Sequence, residues 1–180
     1  MHSTAQPKYC KARPVPYTLS PKIEDERTIL VAEGSIEPVQ FSEWATPIVP
    51  IVNSNGEVRI CGDYKATVNQ ASRLDNCPIS KTDDLLAAIR GGEKYSKLDM
   101  SQAYQQLLLD DESKKYLVIN TQKGLFAYNR LPYCVSSAPG IFQRVMENLL
   151  QGIPFTMMRV DDVLVSGKMM RNIWQIWKPH

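Results

Sequence analysis

The sequence predicts an α+β fold in which helices pack on one face of antiparallel β-hairpins. Turn-forming residues at 53–56 and 123–124 each separate two β-prone runs, and glycine at such positions is typical of tight hairpins. An apolar stripe over 141–150 predicts a core-facing helix. A further pair of β-prone runs flanks the two adjacent acids at 161–162. At 180 residues, the chain is long enough to bury a core.

The chain begins with an extended arm followed by a helix. Residues 1–19 contain scattered prolines and basic residues, a composition that favours an extended conformation. Ser20 can cap the helix, Pro21 suits its first turn, and Gly34 stops it. The acids at 24–26 favour the N-terminal end of this helix because they interact with its dipole.

The next elements are a hairpin and a second helix. The hairpin joins the runs 45–52 and 57–61. Its first strand contains Pro47 and Pro50, and because proline donates no backbone hydrogen bond, we expect this strand at a sheet edge. Acidic residues, an apolar stripe and two closing glycines predict a helix over 82–90.

The second half of the chain alternates short strands with helices. The pattern predicts, in order, a strand at 95–98 ending in Asp99, a helical turn at 101–104, a hairpin of 117–120 with 125–131, a helix capped by Ser136 or Ser137 and ended by Gly152, and the hairpin around 161–162. The apolar face of that helix has six members, which are Ile141, Phe142, Val145, Met146, Leu149 and Leu150. This order favours helices covering an antiparallel sheet.

Histidine and cysteine usage excludes several kinds of site. The only histidines, His2 and His180, lie at the chain ends, which excludes hydrolases with an internal catalytic imidazole and helical zinc motifs. The cysteines form no paired ligand motif, so free thiols are expected. They are Cys10, Cys61, Cys77 and Cys134.

The bulk composition is that of an intracellular globular protein. The hydrophobic content of 43% and the charged content of 22% are ordinary. Apolar stretches are too short to cross a bilayer, and residues 1–20 lack the apolar centre of a signal peptide. We therefore expect a cytoplasmic or nuclear location, no secretion and no membrane partner. Net charge is +2, but residues 168–180 hold three basic residues and no acid, so the rest of the chain is close to neutral. Any nucleic-acid contact is therefore expected to come from a local patch or from a region that this chain lacks.

Three acids lie at predicted strand ends. Asp99 follows one apolar run, and Asp161 with Asp162 lies between two others. Carboxylates flanked by apolar residues are costly unless a cation compensates them. If they converge, they form an oxygen-only site suited to Mg²⁺ and phosphates. The alternative for either site alone is a solvated hairpin turn, because acids are common turn residues.

Four motifs occur in a characteristic order. They are residues 59–65 (RICGDYK), 96–106 (SKLDMSQAYQQ), 131–139 (LPYCVSSAP) and 160–167 (VDDVLVSG). Together they resemble the successive motifs of gypsy-type LTR-retrotransposon reverse transcriptases, over a span from about residue 11 to Gly167.

The resemblance implies a right-hand polymerase fold and a two-metal reaction. The fold is the fingers and palm, with an antiparallel palm sheet backed by helices. The activity is RNA-directed DNA polymerisation, in which a dNMP is transferred to a primer 3′-end on an RNA or DNA template. Asp99 and Asp161 would bridge two Mg²⁺ ions, for which Mn²⁺ can substitute, and Asp162 would support them.

The resemblance also assigns nucleotide-binding residues. Arg59 matches a fingers arginine that grips the incoming triphosphate, a task suited to a planar cation. Tyr104 matches the aromatic residue that excludes a 2′-hydroxyl by bulk. Tyr133 and Cys134 match the segment lining the nucleotide pocket, and Met100 belongs to the same set. From composition alone, Arg59 reads as a solvated strand charge and Tyr104 as a core residue.

Two residues depart from the family pattern. The family has an aromatic residue where this chain has Arg159, and glycine where it has Cys134. Strand alternation would put Arg159 on the face of Asp161, where it would pair with that acid and weaken metal binding, or reach a primer phosphate. A side chain at Cys134 would limit the close approach of backbone to nucleotide.

The motifs suggest a division of the chain. It runs 1–19 for an arm, 20–95 for fingers with the start of the palm, 96–111 for the first catalytic motif, 112–135 for a fingers/palm hairpin, 136–167 for the palm helix and double-Asp hairpin, and 168–180 for an unrelated tail. We expect truncation before the thumb, no RNase H activity and weak or no polymerisation by the chain alone. The alternative is an inactive remnant that binds nucleic acid or protein.

Overall fold

The computed structural model describes residues 6–71, 92–159 and 162–167. Its helices are α1 (Ser20–Ala32), α2 (Val68–Ala71), α3 (Asp111–Lys114) and α4 (Ala138–Leu150), with 3₁₀ turns at Tyr17–Leu19, Tyr64–Ala66 and Ala103–Gln106. Its strands are β1 (Ile36–Val39), β2 (Thr46–Val52), β3 (Val58–Gly62), β4 (Lys94–Asp99), β5 (Val118–Thr121), β6 (Gly124–Tyr128), β7 (Thr156–Arg159) and β8 (Asp162–Gly167). The helix predicted over 82–90 and the thiol of Cys77 lie outside the described residues.

Five strands form a mixed sheet in the order β1-β6-β5-β2-β3. The predicted hairpins β2–β3 and β5–β6 are both present, and Gly56 and Gly124 adopt the positive φ that their turns require. The edge position predicted for β2 is wrong. Thr46 and Pro47 pair in parallel with β5, while Pro50 lies farther along, where β2 pairs only with β3. Proline is tolerated there because one side of the strand has no ladder.

Helix α1 has the predicted extent but a different start. Ser20 is its first residue, and the N-cap is Leu19, which makes no side-chain capping hydrogen bond. The preceding 3₁₀ turn supplies the entry instead, since the Ser20 amide donates to the Tyr17 carbonyl. Gly34 follows the helix with a φ of 68°, as expected of a helix-terminating glycine.

The N-terminal arm is extended and bound to the five-stranded sheet. The Cys10 amide donates to the Ala45 carbonyl at 2.8 Å, and the Ala45 amide donates to the Lys8 carbonyl at 3.1 Å. The Asn120 side chain donates to the Tyr9 hydroxyl and to the Cys10 carbonyl. These contacts satisfy backbone groups that an arm would otherwise leave to water.

A second sheet contains β4, β8 and β7 in that order, with both pairs antiparallel. Helix α4 precedes β7 in sequence and begins at Ala138, directly after the two serines that were predicted to cap it. Phe142 is buried as expected, but Leu149 is 67% exposed. The buried part of the helix instead includes Gln143, whose amide is hydrogen-bonded.

The chain divides into two compact units. The first contains Met1–Leu74 with Tyr104–Ala138, and the second contains Asp75–Ala103 with Pro139–His180. The five-stranded sheet lies in the first unit and the three-stranded sheet in the second. Within the described ranges, every helix is too short or too polar to cross a membrane.

Candidate active site

Two of the three predicted metal ligands meet across the ladder of the second unit. Asp99 is the last residue of β4, Asp162 is the first of β8, and the two are direct cross-strand partners. Directly opposite residues of an antiparallel pair lie on one face of the sheet, with Cβ atoms about 5 Å apart. Asp161 lies outside the described residues, and the described part of the chain holds no cluster of three possible metal ligands.

Lys97 forms an ion pair with Asp162. Its Nζ lies 2.8 Å from Asp162 Oδ2, and the two side chains are 61% and 38% exposed. Lys97 lies two positions before Asp99 on β4 and therefore on the same face. The hydrogen bond to Asp162, aided by the negative charges of Asp162 and Asp99, raises the pKa of Lys97. One carboxylate of the candidate metal site is thus already matched by a cation.

Replacing Lys97 by methionine should tighten Mn²⁺ binding. The change frees an Asp162 oxygen and removes a positive charge that repels the ion, and because the pair is exposed, we expect a gain of at most about fivefold. Isothermal titration at low ionic strength measures it. Lys94→Met, an exposed lysine of the same strand, is the matched control and should leave the affinity unchanged. Weaker binding in Lys97→Met would mean that Lys97 supports the site.

The pairing predicted between Arg159 and Asp161 lies outside the described residues. Strand β7 ends at Arg159, whose backbone is the cross-strand partner of Asp162. Continuous alternation from Arg159 to Asp161 along one strand was the basis of that expectation. That pairing stays a prediction, and among the described side chains Lys97 is the cation that pairs with Asp162.

Two predicted nucleotide-binding aromatics are in contact in the first unit. The rings of Tyr104 and Tyr133 have centroids 5.4 Å apart and are tilted by 53°. Both side chains are half-buried, so each keeps an accessible surface. Aromatic pairs of this geometry are mutually stabilising, and the contact limits the rotation of both rings.

Cys134 has a left-handed backbone. Its φ is 71°, and its side chain is exposed. Asn69 holds this segment: its amide donates to the Cys134 carbonyl at 3.1 Å, and its Oδ1 accepts from the Ser136 amide at 2.9 Å and from the Ser136 hydroxyl. The glycine that the resemblance implies at this position would have a direct physical reason, since glycine adopts this φ without steric cost.

Replacing Cys134 by glycine should stabilise the protein. Relief of the left-handed strain is worth about 1 kcal/mol, which corresponds to a rise in Tm of about 2–4 °C. Cys134→Ala is the control, because it removes the thiol and keeps the Cβ atom. Thermal unfolding of the three proteins measures the difference. Equal Tm values for the glycine and alanine variants would show that the positive φ costs nothing here.

Arg59 and Met100 are the remaining candidates for nucleotide binding. Arg59 is exposed on β3, opposite Ile51, and its charge acts on Glu26 and Cys61. Met100 is half-buried directly after β4, in the second unit.

Burial, with the adjacent Cys134 thiol, raises the pKa of Cys61 to about 12, so Cys61 is protonated at neutral pH. Cys10, Cys61 and Cys134 are free thiols.

The candidate residues therefore form two groups. Asp99 and Asp162 meet in the second unit, whereas Tyr104, Tyr133 and Cys134 belong to the first. Sequence reasoning missed Lys97 and Asn69. The alternation of β4 could have placed Lys97 beside Asp99, but its pairing with Asp162 needs the strand register. No local signal marks Asn69, because its partners are 65 and 67 positions away.

Comparison with known proteins identifies the family. The sequence profile described as "Reverse transcriptase (RNA-dependent DNA polymerase)" matches residues 53–178, a range that includes most of the tail predicted to be unrelated. An uncharacterized protein of Caenorhabditis elegans is 32% identical over 98% of the chain, and a retrovirus-related Pol polyprotein from transposon 297 of Drosophila melanogaster is 25% identical over 88%. The chain spans only 14% and 16% of the length of these relatives.

Solved structures show the same fold. The prototype foamy virus protease–reverse transcriptase matches 97% of this chain with a TM-score of 0.82 at 24% identity, and the chain covers 24% of it. The foamy viral enzyme in complex with an RNA/DNA hybrid matches with a TM-score of 0.84 at 22% identity, over 97% of this chain and 23% of that one. The predicted α+β fold of fingers and palm is thus confirmed. Because the family profile covers more than half of the sequence, the chain belongs to the reverse transcriptase family.

Proposed function

We propose that this chain is the fingers-and-palm part of a gypsy-type LTR-retrotransposon reverse transcriptase that acts inside the cell. Its reaction is the transfer of a dNMP to a primer 3′-end on an RNA or DNA template. The observation that carries the proposal is the meeting of Asp99 and Asp162 at adjoining strand ends in a chain of this family. Two-metal phosphoryl transfer requires carboxylates that together hold the metal ions.

The donor set fits divalent metal ions. Asp99 and Asp162 offer carboxylate oxygens on one sheet face, which is the ligand type that Mg²⁺ prefers, and Asp161 would be the third donor. Such ions, when bound, neutralise the triphosphate and help to activate the primer 3′-hydroxyl. Asp162 remains partly exposed and shares one oxygen with Lys97, so metal entry competes with an ion pair of modest strength.

The remaining candidate residues bind and orient the nucleotide. Arg59 offers a guanidinium to the triphosphate, since it is exposed and has no ion-pair partner among the described residues. Tyr104, braced by Tyr133, limits the space beside the sugar and thereby selects against a 2′-hydroxyl. The resemblance also assigns Met100 and Cys134 to nucleotide binding. Precise orientation matters because a small misplacement of the reacting atoms costs about 10²-fold in rate.

A binding module without catalysis is the second candidate. Two observations favour it: Cys134 holds a strained φ where the resemblance implies glycine, and Lys97 forms an ion pair with Asp162. Such a module would keep contacts to nucleic acid or to a partner protein. It would add no nucleotide in Mg²⁺ or Mn²⁺.

A template-dependence experiment separates the two candidates. The purified chain is mixed with a primer annealed to an RNA or a DNA template, one dNTP at a time, in Mn²⁺ or Mg²⁺. The polymerase predicts at least a weak addition of the complementary nucleotide, which EDTA stops. Binding of the template-primer without addition in either metal supports the module. Addition of any nucleotide regardless of template, or addition that persists in EDTA, contradicts the proposed mechanism.

A further inference from the structure

Gln143 is a fully buried polar side chain on an otherwise apolar part of α4. Its exposed fraction is 0%, and it lies directly after Phe142, which is buried to the same extent. An amide is costly to bury unless its hydrogen-bonding groups have partners. Packing alone therefore does not explain a glutamine at this position, where leucine or methionine would fill similar space.

Both hydrogens of the Gln143 amide are used. Nε2 donates to Glu147 Oε1 at 2.8 Å, one helical turn along α4, and to the Met158 carbonyl at 3.2 Å. Both partners are pure acceptors, so the orientation of the amide is fixed by the contacts themselves. Glutamic acid, the isosteric alternative, would face two acceptors and could not replace it when ionised.

The contact to Met158 reaches the strand that precedes the double-Asp motif. Met158 is buried in β7 and pairs with Val163 of β8, while the next pair along the ladder is Arg159 with Asp162. In the described sheet, β7 is an edge strand with β8 as its one strand partner. The Gln143 bond gives β7 a second anchor, from the helix, one ladder position from Asp162.

We propose that Gln143 is a positioning residue of the active site, which holds the β7–β8 hairpin so that Asp162 keeps its place opposite Asp99. The inference rests on the proposed function, since it assigns a role at the same metal site. It acts through the Met158 backbone and involves no contact with substrate. Removing a group that orients a metal ligand from outside the coordination shell typically changes metal affinity about 10-fold to 100-fold.

Three variants test this role. Gln143→Met keeps the volume and removes both hydrogen bonds. Gln143→Glu/Glu147→Gln exchanges the two side chains, which restores the bond within α4 but not the donor to Met158. Phe142→Leu, at the neighbouring buried position, is the control for a general loss of stability. Mn²⁺ affinity, Tm and amide hydrogen exchange over 156–159 are measured for each purified chain.

The positioning role predicts a separation between stability and metal affinity. Gln143→Met and the exchanged pair should each lose about tenfold in Mn²⁺ affinity and exchange faster over 156–159. Phe142→Leu should lower Tm with unchanged affinity. Unchanged affinity in Gln143→Met, full affinity in the exchanged pair, or an equal loss in Phe142→Leu would overturn the inference. If the unaltered chain binds no Mn²⁺, the proposed function fails, while exchange over 156–159 still decides whether Gln143 anchors β7.

Discussion

Replacing Asp99 by asparagine should remove nucleotide incorporation and most of the Mn²⁺ binding. The substitution keeps the size of the side chain and removes the negative charge at the end of β4, directly opposite Asp162. Because metal ions contribute several kcal/mol to transition-state stabilisation, we expect a loss of incorporation on the order of 10³-fold. Single-nucleotide incorporation and isothermal titration with Mn²⁺ measure the two effects.

The control for this variant is Asp111→Asn. The Asp111 side chain is 94% exposed and pairs with Lys114 in the first unit, so its loss should change neither readout. Asp162→Asn should have a smaller effect than Asp99→Asn, because Asp162 already shares one oxygen with Lys97. Wild-type Mn²⁺ affinity in Asp99→Asn would exclude the meeting point of β4 and β8 as the metal site.

Replacing Gly62 by alanine should strongly destabilise the first unit. A Cβ atom at Gly62 would lie 2.6 Å from Tyr64 Cζ and 2.7 Å from Tyr64 Cε2, well inside van der Waals contact. The Tyr64 ring is 1% exposed and has no room to retreat. Overpacking of this kind costs about 1–3 kcal/mol, and urea unfolding measures the loss.

A double-mutant cycle tests the cause of that loss. In a Tyr64→Leu background the ring is absent, so Gly62→Ala should cost much less than in the unaltered protein. An equal cost in both backgrounds would locate the requirement for glycine in the backbone of β3 and exclude crowding by Tyr64.

The parts of the fold that could be predicted from the sequence are those determined by residues close together in the chain. The β2–β3 and β5–β6 hairpins follow from turn residues that lie between the strands they join. The end of α1 follows from one glycine, Gly34. The place of β2 was predicted wrongly, because its pairing with β5 depends on residues far away in sequence. Proline limits the hydrogen bonds of its own strand, but it does not indicate which distant strand will pair with that strand.

The candidate site divides in the same way. Motif order predicts that Asp99 approaches the double-Asp hairpin, and the ladder confirms its meeting with Asp162. The Lys97–Asp162 pair needs the register of β4 against β8, which a one-residue slip would change. The glycine-to-cysteine departure at Cys134 was interpreted from the sequence as a limit on backbone approach to the nucleotide, whereas the positive φ at this position became visible only in the structure. The roles of Arg59 and Met100 stay predictions.

The parallel pairing of β2 with β5 has a consequence for how the chain folds. Residues 46–47 must meet residues 119–120, and the whole of β4 lies between them in sequence while belonging to the other unit. Closing so long a loop costs entropy before the contact can repay it, so this ladder should form late and slowly. The β2–β3 hairpin can form early from local contacts. Until β5 pairs with β2, however, the backbone groups on that side of β2 have no partner strand. During synthesis, aggregation through that side competes with folding until residue 121 has left the ribosome.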